Sequence, residues 1–192
     1  LDVVLADRVP LPARFLVLGS ASPALLRQSS ESLAGRIERV SMGGLTLAEV
    51  GLAAQRRHWL RGGFPRSFLA EDEEASFRWL QEFVQTFLER DFPQLGFAAP
   101  ALTLHRFWSM VAHYHGQIWN AAEPARSLGI GETSVRRYLD LLGGLFMVRQ
   151  LPAWHVNLKK RQVKSPKVYF HDTGLLHQLL GIRDEGELER HP

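Results

Sequence analysis

Apolar positions spaced by three and four residues dominate the chain and predict a mainly α-helical protein with few strands. From Asp72 to about Leu95, Phe77, Leu80, Val84, Phe87 and Leu88 recur at helical steps. Residues Glu71 to Glu74 put negative charge at the N-terminus of that helix, where its dipole favours it. Trp79 and Phe83 form a second apolar row, so the helix should be covered on more than one side. A second helix is predicted from Ala101 to His115, with Leu104, Phe107, Trp108 and Val111 on one face and Gly116 ending it. Thr46 heads a helical stretch through Glu49 to about Leu60, which stops at Gly62 and Gly63.

Other patterns are shorter. Arg14 to Ser20 read RFLVLGS, a continuous apolar run that suits a strand buried on both faces of a parallel sheet. One strand cannot form a sheet, so its neighbours are expected outside this sequence. The opening at Leu1, with Val3, Val4 and Leu5 ahead of the breakers Pro10 and Pro12, gives the same expectation of a start in mid-domain. Residues 22 to 34 read as a short helix broken near Ser29 and Ser30, and Ile37 to Val40 as a second strand. From Asn120 two short helices follow, Ala121 to Leu128 and Glu132 to Leu142, around the tight turn Gly129, Ile130, Gly131, which is a helix-turn-helix pattern. Pro124 falls inside the first of them if Asn120 is its cap, which argues for a later start. Leu145 to Leu151 and Lys167 to Phe170 read as strands, Leu175 to Leu180 as a last short helix before a polar end. The expected divisions are 1–44, 45–115, 116–182 and 183–192.

Composition narrows the class. Apolar residues make up 45% and charged residues 22%, which fits a folded, water-soluble chain rather than a disordered one. No window reaches the roughly 18 consecutive apolar residues a membrane span requires, so a cytoplasmic protein without membrane contact is expected. Cysteine is absent, which removes disulfides and thiolate metal sites. The net charge is +3, yet residues 154–167 hold Lys159, Lys160, Arg161, Lys164 and Lys167 with no Asp or Glu, so the rest, 3 minus 5, is −2. Basic character is therefore local, as a nucleic-acid contact would need. His113 and His115 point to different sides of their predicted helix, and His171 and His177 have no acidic pair at ligand spacing, so no metal site is expected.

Five strings taken together resemble a family of prokaryotic AAA-like P-loop ATPases, similar to archaeal ATPases and signal-transducing NTPases: RFLVLGSASPALLRQSSESLAGR at 14–36, LRGGFP at 60–65, FLERDFPQLG at 87–96, SVRRYLDLL at 134–142 and KSPKVYFHDTGLLHQLLGI at 164–182. The C-terminal half of that family is described only as a domain of unknown function. The resemblance implies the remnant of a P-loop α/β sheet over 1–44, a helical lid or linker over 45–115 and a winged helix over 116–182. No G-x-x-x-x-G-K-[ST] loop occurs, so the nucleotide phosphates have no cradle. ATP and Mg are accordingly expected in a longer parent, and neither binding nor hydrolysis from this chain alone.

Candidate residues follow from the same resemblance. Ser20, at a strand end, would be a sensor hydroxyl that positions water or the terminal phosphate; the competing reading has Ser20 and Ser22 cap the next helix. Arg36 would act as an arginine finger, in its own subunit or a neighbour's; otherwise it is a surface arginine paired with Glu31 or Glu38. Gly62, Gly63, Phe64 and Pro65 are similar to the Gly-x-Pro element that brings a lid against the nucleotide base, although two glycines and a proline mark any loop. In the helix-turn-helix, Glu132, Thr133, Ser134, Arg136 and Arg137 would face a DNA major groove, while Val135, Tyr138, Leu139 and Leu142 pack inward. Lys159, Lys160, Arg161, Lys164 and Lys167 would contact phosphates from the wing, although a glutamate at the helix start would repel them.

Three functions compete at this point. The first is an ATPase fragment whose winged helix grips double-stranded DNA or a protein partner. The second is a non-catalytic winged-helix DNA-binding regulator. The third is a protein interaction module that forms oligomers through the aromatic-rich helices holding Trp59, Trp79, Trp108 and Trp119.

Overall fold

The computed structural model describes residues 2–5, 15–18, 42–94, 99–154 and 165–191. The chain divides into two compact units, Leu1–Glu38 and Arg39–Pro192. In the first, β1 (Asp2–Leu5) and β2 (Phe15–Leu18) pair antiparallel, with Asp2 opposite Leu18 and Leu5 opposite Phe15. This corrects the expected parallel arrangement. An apolar run reports a strand but not its direction, and the connection over residues 6–14 is too short for a parallel crossover. The helix expected at 22–34 and the strand at 37–40 lie outside the described residues.

The second unit is mainly helical. α1 (Leu47–Val50) starts at Thr46, whose backbone N–H donates to the Glu49 carboxylate at 2.7 Å. The single helix expected from Thr46 to Leu60 is broken at Gly51, which has φ of 80°, and continues through a 3₁₀ turn into α2 (Gln55–Arg61). α3 (Pro65–Phe68) carries Pro65 at its first position, where the missing N–H costs nothing. Asp72 caps α4 (Glu73–Thr86) by accepting the Ala75 amide at 2.7 Å.

The strongest helix in the sequence does run on past Thr86, but through a π-turn over Phe87–Asp91 into the short α5 (Phe92–Gln94). Pro93 supplies the reason. In a regular α-helix its ring would meet the carbonyl of Glu89 and leave that carbonyl without a donor, and widening the preceding turn relieves the conflict. The wider turn also brings Phe87 and Phe92, five residues apart, onto one buried face with ring centroids 6.3 Å apart.

α6 (Ala101–His113) buries Leu104, Phe107, Trp108 and Val111, the predicted face. α7 (Ala122–Leu128) and α8 (Glu132–Gly144) follow as expected around Gly129–Gly131. α7 begins after Ala121, which leaves Pro124 in the first turn, where no intrahelical N–H partner is needed. β3 (Val148–Leu151) and β4 (Lys167–Phe170) pair antiparallel, with Val148 opposite Phe170 and Leu151 opposite Lys167. On the other edge of β4, His115 bridges Val168 and Ile118 bridges Lys167. α9 (Thr173–Leu180) and α10 (Glu185–Arg190) close the chain. The expected polar end is thus a capped helix, because the Asp184 side chain accepts the Glu187 amide at 2.8 Å.

One hydrophobic cluster joins Val84, Phe87 and Phe92 to Trp108 of α6, Leu139 of α8, Val168 of β4 and Leu175 of α9. Each such side chain, fully withdrawn from water, contributes roughly 1.5–3 kcal/mol. Packing therefore runs without a gap across the expected border at 115/116. It also removes Trp108 and Trp119 from any oligomer surface, since both are buried in this core, while Trp59 stays exposed.

Candidate functional site

The glycine corner after α2 is the most tightly built polar feature of the second unit. Gly62 takes φ of 75°, which only glycine adopts without strain, and its amide donates to the His58 carbonyl at 2.9 Å. The amide of Gly63 donates to Asp172 Oδ2 at 2.7 Å, while Asp172 Oδ1 accepts the Leu175 amide at 2.8 Å and so caps α9. Gly63's carbonyl accepts the Leu45 amide at 2.7 Å. Thr173 Oγ1 donates to the His58 carbonyl at 3.3 Å, and His177 Nδ1 meets the Leu60 carbonyl at 3.1 Å. Below the corner, Ser67 Oγ donates to the Arg61 carbonyl at 2.6 Å and lies 2.8 Å from Ser76 Oγ, both serines being buried.

Electrostatics there follow from burial. Desolvation pushes the Asp172 carboxyl above the usual carboxylate range, against the amides of Leu175, Gly63 and Phe64 and the His58 ring, which favour the charge. Burial holds the His177 imidazole below the ordinary histidine value, opposed by its bond to the Leu60 carbonyl and by Asp172. Both groups are thus biased toward neutrality by their surroundings.

Around the helix-turn-helix the geometry is set by turns and an aromatic pin. Gly129 sits in the left-handed region, with φ 66° and ψ 30°, and Ile130 donates to the Ala125 carbonyl at 3.1 Å, so α7 ends in a closed turn. The Tyr114 hydroxyl donates to Glu123, fixing the start of α7 to the end of α6, and burial together with that carboxylate pushes its pKa up to about 12. At the start of α8, Glu132, Thr133, Arg136 and Arg137 are exposed and Ser134 is half-buried, as the helical phase requires. Arg136 reaches Glu132 at 3.4 Å, which offsets part of the positive charge on this face. Lys167 is exposed at the start of β4, beside the exposed Ile118 and Leu151.

The predicted site residues fall into three groups. Thr133, Ser134, Arg136, Arg137 and Lys167 lie on α8 and the ribbon. Gly62, Gly63 and Pro65 lie together at the corner, where the two glycines are buried and Pro65 is exposed. Ser20, Arg36, Lys159, Lys160, Arg161 and Lys164 lie outside the described residues. Asp172 and Gly174 carry no role in the sequence reading, yet they complete the corner. Their signal was present: an Asp two residues ahead of a glycine and an apolar run is an N-cap pattern. Among the described residues, no three His, Asp or Glu side chains converge as metal ligands.

Comparison with known proteins gives the following. The pattern of one family, described as "Domain of unknown function (DUF8612)", matches residues 52–186, which spans both the corner and the helix-turn-helix. Two curated relatives are uncharacterized proteins of Mycobacterium tuberculosis and Mycobacterium bovis, each 56% identical over 189 residues that cover 98% of this chain. The chain spans 43% of the length of these relatives. No solved structure matches it.

Proposed function

The chain belongs to the family described as a domain of unknown function, DUF8612, and from that premise we propose that it is the lid and winged helix of a longer cytoplasmic AAA-like ATPase, the winged helix gripping double-stranded DNA. The observation that carries this reading is the order of elements around β4. A helix (α6), an edge segment bridged to β4 at His115 and Ile118, two helices joined by a three-residue turn, and a two-stranded ribbon follow one another in the winged-helix order. The basic run 155–164 falls in sequence between β3 and β4, where a wing belongs. The exposed start of α8, with Thr133, Arg136 and Arg137, is the surface such modules set in a major groove.

Nucleotide handling would belong to the parent. The greater length of the relatives leaves room for a phosphate-binding loop, and the paired β1 and β2 are too few to be stable alone, which suits a sheet completed elsewhere. Exposed Pro65 on a rigid backbone turn suits contact with a nucleotide base. Ser20 and Arg36 keep their proposed roles toward ATP and Mg. A protein partner is the second reading, favoured by the exposed apolar side chains of Ile118 and Trp154 near the ribbon, the latter 78% accessible.

Two measurements test the proposal. Duplex affinity across a salt series should fall with a slope on the order of −4, and changing Lys159, Lys160 and Arg161 to alanine should flatten that slope; binding with no salt dependence would reject DNA. Joined to the upstream segment of its parent, the chain should support ATP turnover that Arg36→Ala abolishes, and turnover indifferent to that change would reject the finger.

A further inference from the structure

We infer that Asp172 is a positioning residue that couples the Gly62–Pro65 corner to β4, so that a ligand held on the ribbon and α8 is felt at the corner. Four observations meet at this residue. First, both carboxylate oxygens are engaged, one with the cap of α9 and one with the Gly63 amide. Asp172 cannot shift toward either element without losing the other.

Second, the joint has no slack. A methyl group placed on Gly62 would run into the Asp172 carboxyl group, and one placed on Gly174 would run into the backbone of Arg61 and the Gly62 amide. The two chain segments touch backbone to backbone, at positions where only glycine fits. Third, β4 is held on both edges up to the residue before Asp172: the Phe170 amide donates to His115 Nδ1 at 3.1 Å, and the His171 amide to the Met147 carbonyl at 3.2 Å. No loose residue separates the strand that carries Lys167 from the carboxylate that holds Gly63.

Fourth, the contact is all or none. Gly63 is buried and Asp172 half-buried, and separating them would leave the Gly63 amide without its partner in the interior. Such an element has two discrete arrangements, made and released, which is what physical coupling between distant sites needs. The inference rests on the preceding reading for the identity of the two ligands, nucleotide at the corner and DNA on the ribbon. The joint itself is independent of either.

The test is amide hydrogen exchange at Gly63, referred to the Val84 amide in the core of α4 so that global unfolding cancels. It uses the full 192-residue chain as wild type, His115→Ala, Asp172→Asn and the double variant. His115→Ala, which releases Phe170, should speed Gly63 relative to Val84 on the order of 10-fold, and should add nothing once Asp172 is Asn. An unchanged ratio in His115→Ala, or effects that multiply in the double variant, would overturn the coupling. Should Asp172→Asn fail to fold, Asp172→Glu, which keeps the carboxyl group but lengthens the arm, replaces it in the same cycle. A second arm adds a 20-base-pair duplex. Slower Gly63 exchange in wild type, lost in the Asp172 variant at unchanged affinity, supports the inference; tight binding that leaves wild-type Gly63 unmoved counts against it. If the duplex does not bind, the DNA reading fails while the first cycle still decides the joint.

Discussion

His115 accepts the backbone amide of Phe170 at Nδ1, 3.1 Å away, and thereby ties the end of α6 to the last residue of β4. A ring protonated on both nitrogens cannot accept that bond. Burial lowers the pKa of His115 and of His177. A lowered histidine pKa means that the folded state holds the neutral ring. The stability it contributes is present above the unfolded value, near 6.5, and is lost as pH falls through the folded value. Asp172, with its raised pKa, acts in the opposite sense: its contribution is full below the unfolded value and fades as pH rises through its folded value. The melting temperature is therefore expected to drop as pH falls below about 6.5, and His115→Gln should make the drop shallower. Thermal unfolding across pH 5–8 checks this; a flat profile for wild type contradicts it.

Gly174→Ala sets a methyl group against the Arg61 backbone, which has no way to yield because the same segment is fixed to Asp172 and Ser67. A loss of about 3 kcal/mol is expected, the upper end for overpacking. Gly129→Ala makes a useful contrast, since nothing lies within 4 Å of that position and only its left-handed conformation opposes a side chain. About 1–2 kcal/mol is expected there. Urea midpoints for the two variants should keep this order.

Trp108 has 0% of its surface exposed and packs its ring, tilted by 49°, 5.2 Å from that of Phe87. Trp108→Ala should cost about 3–5 kcal/mol. Trp154→Ala, at the exposed end of the ribbon, should stay within about 0.5 kcal/mol by the same denaturation. Equal losses would mean that the core is wrongly located.

Arg136→Ala and Arg137→Ala sit on the exposed start of α8, and the pair Arg136–Glu132 is a solvated i,i+4 contact. Stability should change by no more than about 0.5 kcal/mol. Duplex affinity, if the α8 face binds phosphate, should weaken with each change and the salt slope shrink by about 1 per arginine. Glu132→Gln should strengthen binding, because it removes a like-charged group from that face. Anisotropy titrations at three salt concentrations give all of these values.

Much of this fold could be read from residue types, and the misses share a cause. The face of α6, the helix-turn-helix around Gly129–Gly131, and β4 are local patterns: apolar spacing, a glycine turn, a short apolar run. Periodicity missed the breaks at Gly51 and Pro93, because a good apolar phase on either side hides a single residue that the backbone cannot carry through. The direction of β2 was not legible either, since it depends on which strand is reachable, not on β2 itself. At the candidate site, the corner glycines stood out from the sequence, whereas their partner Asp172 is 109 residues away and announces only its local role as a cap.

That separation bears on how the chain is made. A ribosome adds roughly 5–20 residues per second, so α2 and α3 emerge on the order of 5–20 s before the carboxylate that will lock their corner exists. Until then Leu60, buried in the finished molecule where α2 packs on α9, faces water. Nascent chains halted short of residue 172 should therefore be the ones that chaperones hold and proteases clip between α2 and α3, and release of that protection should coincide with the synthesis of α9.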